Sequence, residues 1–311
     1  MKISVVVPTL NSIEDVKECV ASIKKQSIEC TVIVVANGTT DGTQRYLSHE
    51  YPDVVVLSYL KPLGFAGAVN AGILYSIKEG AKYIALLNND AIADKKWLSE
   101  LVDAMESHPK AGIITSKILH MNENKYDSTG EYYTTWLLPY PRGRNVKDKG
   151  QYDTPENIVS GSGGASIYRS ELFRQVGLFD EDFFAYYEDV DISLRAHHAG
   201  WDVRYQPTAV VRHKIGGTSE RIKGFTTLQT MKNLPLLYIK NVPARILLIS
   251  FWKFNLAYCL FFARSITRLQ GRYALIGWLQ FLLLAPDKLL ERRKILSTSK
   301  LSSDEFRALL V

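Results

Sequence analysis

The sequence predicts an α/β fold: a mainly parallel sheet with helices on both faces, followed by a C-terminal basic, amphipathic helical segment. Three observations lead there. Short Val/Ile-rich runs alternate with helical patterns up to about residue 115. Those runs are continuously apolar, as strands covered on both faces must be. From about residue 225 the chain changes to long apolar stretches flanked by arginines. The expected division is therefore a catalytic or binding domain over 1–224 and a helical segment over 225–311.

Strands are expected over 3–7, 31–36, 53–58, 83–88 and 112–116, with helices over 13–25, 42–50, 65–79 and 95–107. Ser12 reads as an N-cap, with Glu14 and Asp15 placed favourably in the first turn. Asp94 reads as the cap of the helix containing Trp97, Leu98 and Leu101. Residues 120–157 are polar and aromatic, with Pro139, Pro141, Gly143 and Gly150. They read as a hairpin or flexible loop over the functional edge of the sheet. Regular structure resumes at 158–168, with helices over 170–176 and about 189–199 and a strand over 202–211.

The C-terminal segment holds apolar runs at 246–263 and 273–286. An 18-residue helix spans roughly 27 Å, short of a hydrocarbon core of about 30 Å. Lys253 lies mid-run, where a charge costs about 3 kcal/mol on insertion scales. Helices lying in a membrane interface are therefore expected rather than two spans; a buried helical pair or a homodimer interface is the alternative. Residues 240–300 hold eleven Lys/Arg against two Asp/Glu, a balance of +9, while the rest, with 27 basic and 30 acidic residues, stands at −3. Basicity confined to an apolar, aromatic segment favours an anionic membrane surface over nucleic acid as partner. Cys19, Cys30 and Cys259 form no disulfide or zinc pattern, so a reducing compartment is expected. The run Ile3–Val7 ends at Pro8, too short for a secretory signal core.

An open parallel sheet binds its ligand beyond the carboxyl ends of its strands. Four sites fall there. Pro8-Thr9-Leu10-Asn11 follows the first strand where a dinucleotide fold would carry GxGxxG, so NAD and FAD are disfavoured. Ala36-Asn37-Gly38-Thr39-Thr40-Asp41-Gly42-Thr43 follows the second and is rich in turn pairs, with Asp41 able to cap the next helix. Gly64-Phe65-Ala66-Gly67-Ala68-Val69-Asn70-Ala71-Gly72 opens a helix with small residues. Such a run offers backbone N–H groups to a ligand, or allows close helix–sheet packing. Asn88-Asn89-Asp90 ends an apolar strand, and a carboxylate there suits Mg²⁺ or Mn²⁺. Further on, residues 179–191 pack six carboxylates and five aromatic rings into thirteen positions. Repulsion and burial raise carboxylate pKa values, so such a cluster needs a cation, a metal or a proton. If a helix starts near Asp189, Asp191 and Arg195 share a face and brace each other. Asp189 then points elsewhere. Asp180 to Asp182 read as a solvated turn, and His197 and His198 as core or surface histidines.

In combination and order, these motifs resemble the inverting family 2 glycosyltransferases of the GT-A fold, a Rossmann-like architecture, and especially their rhamnosyltransferase-like branch. The resemblance covers roughly residues 1–220. It implies an enzyme that moves a sugar from a nucleotide-diphosphate donor, with dTDP-rhamnose the leading guess, to a lipid-linked or surface-polysaccharide acceptor at the cytoplasmic face of a membrane. It implies Asp189 as general base, and Asp90 and His213 as ligands of Mg²⁺ or Mn²⁺. Asn88 stands where many members carry the first acid of the metal motif. Pro8, Thr9, Asn11, Asn37, Asp41, Gly64, Phe65, Asn70, Asn88 and Asn89 fall to the donor side, and Tyr186, Tyr187 and Glu188 to the acceptor wall. The turn Gly216-Gly217-Thr218-Ser219 would order over the phosphates. One departure stands out: the family usually carries, before Asn37, an Asp that contacts the base, and here that residue is Ala36. Two rivals are a sugar nucleotidyltransferase, which would carry a basic glycine-rich loop after the first strand, and a non-catalytic membrane-bound scaffold.

Overall fold

The computed structural model describes residues 1–214 and 222–311. The first half follows the expected alternation: β1 (Ile3–Thr9), α1 (Ile13–Lys24), β2 (Thr31–Asn37), α2 (Thr43–Glu50), β3 (Val55–Tyr59), α3 (Gly64–Lys78) and β4 (Tyr83–Leu87). A short β5 (Ala91–Ala93), α4 (Trp97–Ser107) and a long β6 (Ala111–His120) follow. Strands β3, β2, β1 and β4 lie side by side and parallel.

Period-two alternation sorts the strand side chains onto two faces. Val5, Val7, Val32, Val34, Ala85 and Leu87 face one core with Val16, Val20 and Ile23 of α1 and Trp97, Leu98 and Leu101 of α4. Val6, Ile33, Val35, Ile84 and Leu86 face the other, with Ala66, Val69 and Ile73 of α3. Each fully buried Val, Ile or Leu contributes about 1.5–3 kcal/mol. This two-sided burial is why the strands read as unbroken apolar runs. The small residues of α3 serve the same packing: a Cβ on Gly72 would come within 2.3 Å of Val6 Cγ1.

Two caps differ from expectation. Ser12 precedes α1 but its side chain makes no capping bond; Asp41 takes the role, accepting from Ile13 N at 2.8 Å and from Thr43 N at 3.1 Å, so one carboxylate serves the starts of α1 and α2. Ahead of α4, Asp94 contributes its backbone carbonyl, which accepts from Trp97 N at 2.8 Å, and no side-chain cap.

The expected hairpin or loop at 120–157 is a set of short strands, β7 (Tyr126–Ser128), β8 (Glu131–Tyr133), β9 (Pro139–Pro141) and β10 (Glu156–Asn157), with β8 and β9 forming a separate hairpin. Next come β11 (Ala165–Arg169), α5 (Ser170–Val176), a 3-10 turn at Glu181–Phe183, α6 (Glu188–His198) and β12 (Asp202–His213). The main sheet has the order β10-β12-β6-β11-β4-β1-β2-β3, with β11 antiparallel between β4 and β6. Strand β5 pairs antiparallel with β12, which sets Ala91 opposite His213.

The chain ends in α7 (Phe225–Asn241), α8 (Ala244–Thr267), α9 (Gly271–Ser297) and α10 (Ser303–Ala308). Helix α7 is mostly buried, and Leu234, Leu237 and Tyr238 share a third core with Phe183, Val190 and Leu194. Helices α8 and α9 instead leave much of their apolar surface outside: Leu248 is 73% exposed, Trp252 60% and Leu283 79%.

Candidate active site

The tip of β4 is tied to its neighbours on both sides. Asn88 N donates to Gly164 O at 2.9 Å. Asn89 Nδ2 donates to Thr9 Oγ1 at 3.1 Å, linking the ends of β4 and β1. Asp90 follows, and the β5–β12 pairing brings His213 onto it, with Nε2 3.0 Å from Asp90 Oδ1. The other ring nitrogen, Nδ1, lies 2.8 Å from Asp127 Oδ2 at the start of the inserted strands. Burial opposes a charge on His213, yet its hydrogen bonds to these two carboxylates and their negative charge outweigh it and push the pKa up to about 10.

Asp189 hangs at the first turn of α6 beside the same strand tip. Its Oδ2 accepts from Gly163 N and its Oδ1 from Val190 N, both at 2.9 Å. The glycines pack closely here: a Cβ on Gly164 would stand 3.1 Å from Asn88 Nδ2, and one on Gly163 would stand 3.2 Å from Phe65 Cε1 and 3.4 Å from Asp189 Cβ. The run 161–164 thus lies between Asn88 and Asp189 and joins the two acidic motifs. Burial raises the Asp189 pKa above the usual carboxylate range, with backbone N–H bonds opposing the rise. Glu188 is raised well above its ordinary value by burial and by the adjacent Asp189 charge, and its Oε2 is buried without a partner. Glu131 of β8 is raised well above its ordinary value, by burial and then by Asp189.

Two residues along α6, the chemistry reverses. Arg195 Nε donates to Asp191 Oδ2 at 2.8 Å, one helical turn away. Lys240 Nζ and Asn241 Nδ2 from the end of α7 also reach Asp191, at 3.0 and 2.8 Å. Burial alone would raise the Asp191 pKa, but the Arg195 and Lys240 charges hold it well below the usual range. Asp180 to Asp182 are not a solvated turn. Asp180 Oδ2 lies 2.6 Å from Lys240 Nζ and 2.7 Å from Lys288 Nζ, and Lys288 also meets Asp182 at 2.8 Å. Two nearly inaccessible lysines, at 1% exposure each, compensate the carboxylates. His197 and His198 are core histidines as expected: their Nε2 atoms pair with Val159 O and Asn241 O, at 2.9 and 2.8 Å.

Between these acids runs a strained segment. Phe184, Tyr186 and Tyr187 have φ of 61°, 70° and 71°, a conformation costing a non-glycine residue on the order of 1–3 kcal/mol. Phe184 O accepts from Phe65 N at 2.6 Å and Ala66 N at 3.2 Å. The opening amides of α3 are therefore capped by the protein rather than offered to a ligand. Gly64 is required there, with φ +75° and only 2.5 Å between an added Cβ and Phe184 O.

Several donor-side residues are likewise occupied by the fold. Asn37 is buried, with Nδ2 donating to Gly64 O and Oδ1 accepting from Leu63 N, at 3.0 and 2.6 Å. Asn70 bonds Phe179 through both its nitrogen and its oxygen. Asn11, at φ 49°, holds Thr40 N. Ala36 and Pro8 are buried in the sheet. Tyr186 and Tyr187 are half-buried, Tyr186 with its ring 6.1 Å from that of Phe225 and Tyr187 against the third core. The expected turn at Gly216–Ser219 lies outside the described residues.

Sequence reading missed Asp127, Glu131 and Gly163. The two acids lie in the stretch read as a loop, where no period marks them. Gly161-Ser162-Gly163-Gly164 falls in the stretch expected as regular structure, and its glycines are the signal that could have marked a turn there.

The donor set at the strand tip fits a divalent cation. Asp90 Oδ1 and His213 Nε2 face each other across 3.0 Å, their side chains 15% and 21% exposed, so a cation bound there would replace the proton that His213 shares with Asp90. Hard cations of this class take one or two protein carboxylates and complete their shell from phosphates and water.

The sequence matches the family described as Glycosyl transferase family 2 over residues 4–177. It is 29% identical over 215 residues to the N-acetylglucosaminyl-diphospho-decaprenol L-rhamnosyltransferase of Mycobacterium tuberculosis, covering 60% of this chain and 68% of that relative. It is 26% identical over 220 residues to the dTDP-rhamnosyl transferase RfbF of Shigella flexneri, covering 70% of this chain and 71% of the relative. Among solved structures, the mannosyltransferase PcManGT of Pyrobaculum calidifontis, in complex with GDP-Man and Mn²⁺, shares the fold with a TM-score of 0.57 at 15% identity, over 96% of this chain and 85% of that one.

Proposed function

The chain belongs to glycosyl transferase family 2 and is a glycosyltransferase; from that premise we propose that it transfers rhamnose from dTDP-rhamnose, with inversion, to a hydroxyl of a lipid-linked or cell-surface glycan acceptor. The observation that carries the reading is Asp189: a carboxylate held by Gly163 N–H, in surroundings that raise its proton affinity, next to the strand tip that ends in Asp90. Asp90 and His213 would hold Mg²⁺ or Mn²⁺, which when bound supplies positive charge against the diphosphate leaving group. Asp189 takes the proton of the acceptor hydroxyl as its oxygen bonds to the anomeric carbon. The bond from that carbon to the diphosphate oxygen breaks on the opposite face of the sugar, and the electron pair leaves with the diphosphate. One such displacement inverts the anomeric centre. Tyr186 and Tyr187 offer ring faces to the C–H side of the acceptor sugar. The rhamnose assignment is supported by the two named relatives.

We further propose that α8 and α9 lie on the cytoplasmic face of a membrane. Both helices are long and apolar enough to cross one by length and composition, with mean hydropathies of 1.7 and 1.2 over their best windows. Arg245, Arg264, Arg268 and Arg272 border the exposed apolar face and suit anionic headgroups.

The test is a transfer assay. Purified protein, dTDP-rhamnose, Mn²⁺ and a short-chain N-acetylglucosaminyl-diphospho-polyprenol are expected to yield the rhamnosylated lipid by mass spectrometry. A parallel thermal-shift series of nucleoside diphosphates with Mn²⁺ identifies the base, which Ala36 leaves without its usual contact. Stabilisation by another nucleotide but not dTDP would overturn the donor assignment.

A further inference from the structure

Asn233 lies on α7, far in sequence from every motif of the site, and is completely buried. Its Nδ2 stands 2.8 Å from each of three carbonyl oxygens, those of Phe183, Ala185 and Tyr186. Three acceptors converging on one atom identify that atom as the donor end of the amide. It carries two hydrogens, so two of the carbonyls share one. The opposite end, Oδ1, is buried without a partner. The neighbouring Lys232 Nζ donates to Asp182 O at 2.6 Å. From the other side, α3 donates Phe65 N and Ala66 N to Phe184 O. All four carbonyls of residues 183–186 are therefore held by elements remote in sequence. These residues and Tyr187 include the three aromatic residues with positive φ. Immediately after them α6 begins, carrying Glu188 and Asp189.

We propose that Asn233 is a positioning residue for glycosyl transfer. It holds the backbone of 183–187, in which Phe184, Tyr186 and Tyr187 are left-handed, and so fixes how Tyr186 and Tyr187 face the acceptor, where α6 starts and where Asp189 stands. It acts through backbone carbonyls and touches no reacting atom. The inference rests on the acceptor-side and base assignments made above. It makes the C-terminal helices part of the catalytic apparatus as well as a surface for the membrane.

The experiment compares wild type with Asn233→Ala and Asn233→Ser, the latter keeping one small donor. Hydrogen exchange by mass spectrometry is expected to show peptides spanning 183–188 exchanging faster in Asn233→Ala, with β1 and β4 unchanged. With dTDP-rhamnose, Mn²⁺ and the short-chain polyprenyl acceptor, kcat/KM for the acceptor falls by roughly tenfold to a hundredfold. The donor KM and the dTDP affinity stay within about twofold. Asn233→Ser falls between, and carries the comparison if the alanine variant does not fold. Acceptor parameters equal to wild type would overturn the proposal. So would donor and acceptor parameters declining together in proportion to the unfolded fraction, the mark of a purely structural role. A wild type inactive with this substrate pair defeats the functional reading itself, whereas an active wild type with an unaffected Asn233→Ala defeats only the positioning role.

Discussion

Replacing Asp189 by Asn preserves shape and removes the proton acceptor. General-base catalysis contributes about 10²–10⁴ in rate, so the variant loses roughly 2.7–5.5 kcal/mol of transition-state stabilisation. The structure adds a second term. Asp189 accepts from Gly163 N and Val190 N through separate oxygens, and an amide can accept through only one. The other N–H then faces an NH₂ group, at a cost of about 1–3 kcal/mol. Relief of the burial penalty on the charge offsets part of that cost. A melting temperature lower by a few degrees is therefore expected beside a far larger loss of kcat. Initial rates with dTDP-rhamnose and Mn²⁺ give kcat, and calorimetry with dTDP gives donor affinity, expected within a few-fold of wild type. The pH profile supplies an independent check. A base works deprotonated, so kcat/KM falls as pH drops through the Asp189 pKa, and burial places that limb above the ordinary carboxylate range. A variant whose kcat stays within about threefold of wild type, with the acid limb unmoved, refutes the assignment.

Other perturbations read different parts of the molecule. Asp90→Ala is expected to weaken Mn²⁺-dependent dTDP binding at least about tenfold by calorimetry; tightening by Mn²⁺ equal to wild type would exclude Asp90 as a ligand. Gly64→Ala puts a Cβ 2.5 Å from Phe184 O at φ +75°, and the left-handed penalty of about 1–2 kcal/mol plus the clash should lower the urea midpoint clearly. Asp191 has a depressed pKa, so its stabilisation is complete above its unfolded value of about 3.9 and is lost as pH falls towards the folded value. Asp191→Asn should therefore melt lower at neutral pH and vary less between pH 5 and 3, and curves parallel to wild type would argue against the brace. The double variant Leu248→Glu, Trp252→Glu should abolish flotation with anionic liposomes while leaving the protein folded. Unchanged flotation counts against α8 as the contact, and a fall in oligomer mass instead would assign the face to a second copy.

The fold was largely legible because its signals are local. The strands β1, β2 and β4 are buried on both faces, so each reads as an apolar run, and each precedes a turn rich in Gly, Asn or Asp. The site was legible where a motif sits at a strand tip or helix start, as with Asp90, Asp189 and the Asp191–Arg195 pair. It was illegible where sheet pairing does the work. Asp127 reaches His213 across 86 residues, through strands too short to carry a period. Turn chemistry also misled: Gly64 and its neighbours suit a ligand cradle and a tight chain crossing equally well, and only Phe184 O at the α3 amides distinguishes them.

Composition shifts near residue 225, but the packing does not divide there. Asp180 and Asp191 are stable as ions because Lys240 and Lys288 meet them, 60 or more and 49 residues further along the chain. A carboxylate buried in a low-dielectric interior without such partners is either protonated or destabilising by several kcal/mol. The acid-rich run at 179–191 therefore presupposes α7 and α9. This explains how a segment with six carboxylates can lie within the protein while Glu188 and Asp189 keep a raised proton affinity beside a depressed Asp191. The lysines neutralise Asp180, Asp182 and Asp191, while Asp189 is held by backbone N–H groups and keeps its raised proton affinity. The division of labour among these carboxylates is set less by their own spacing than by which of them the C-terminal cations reach.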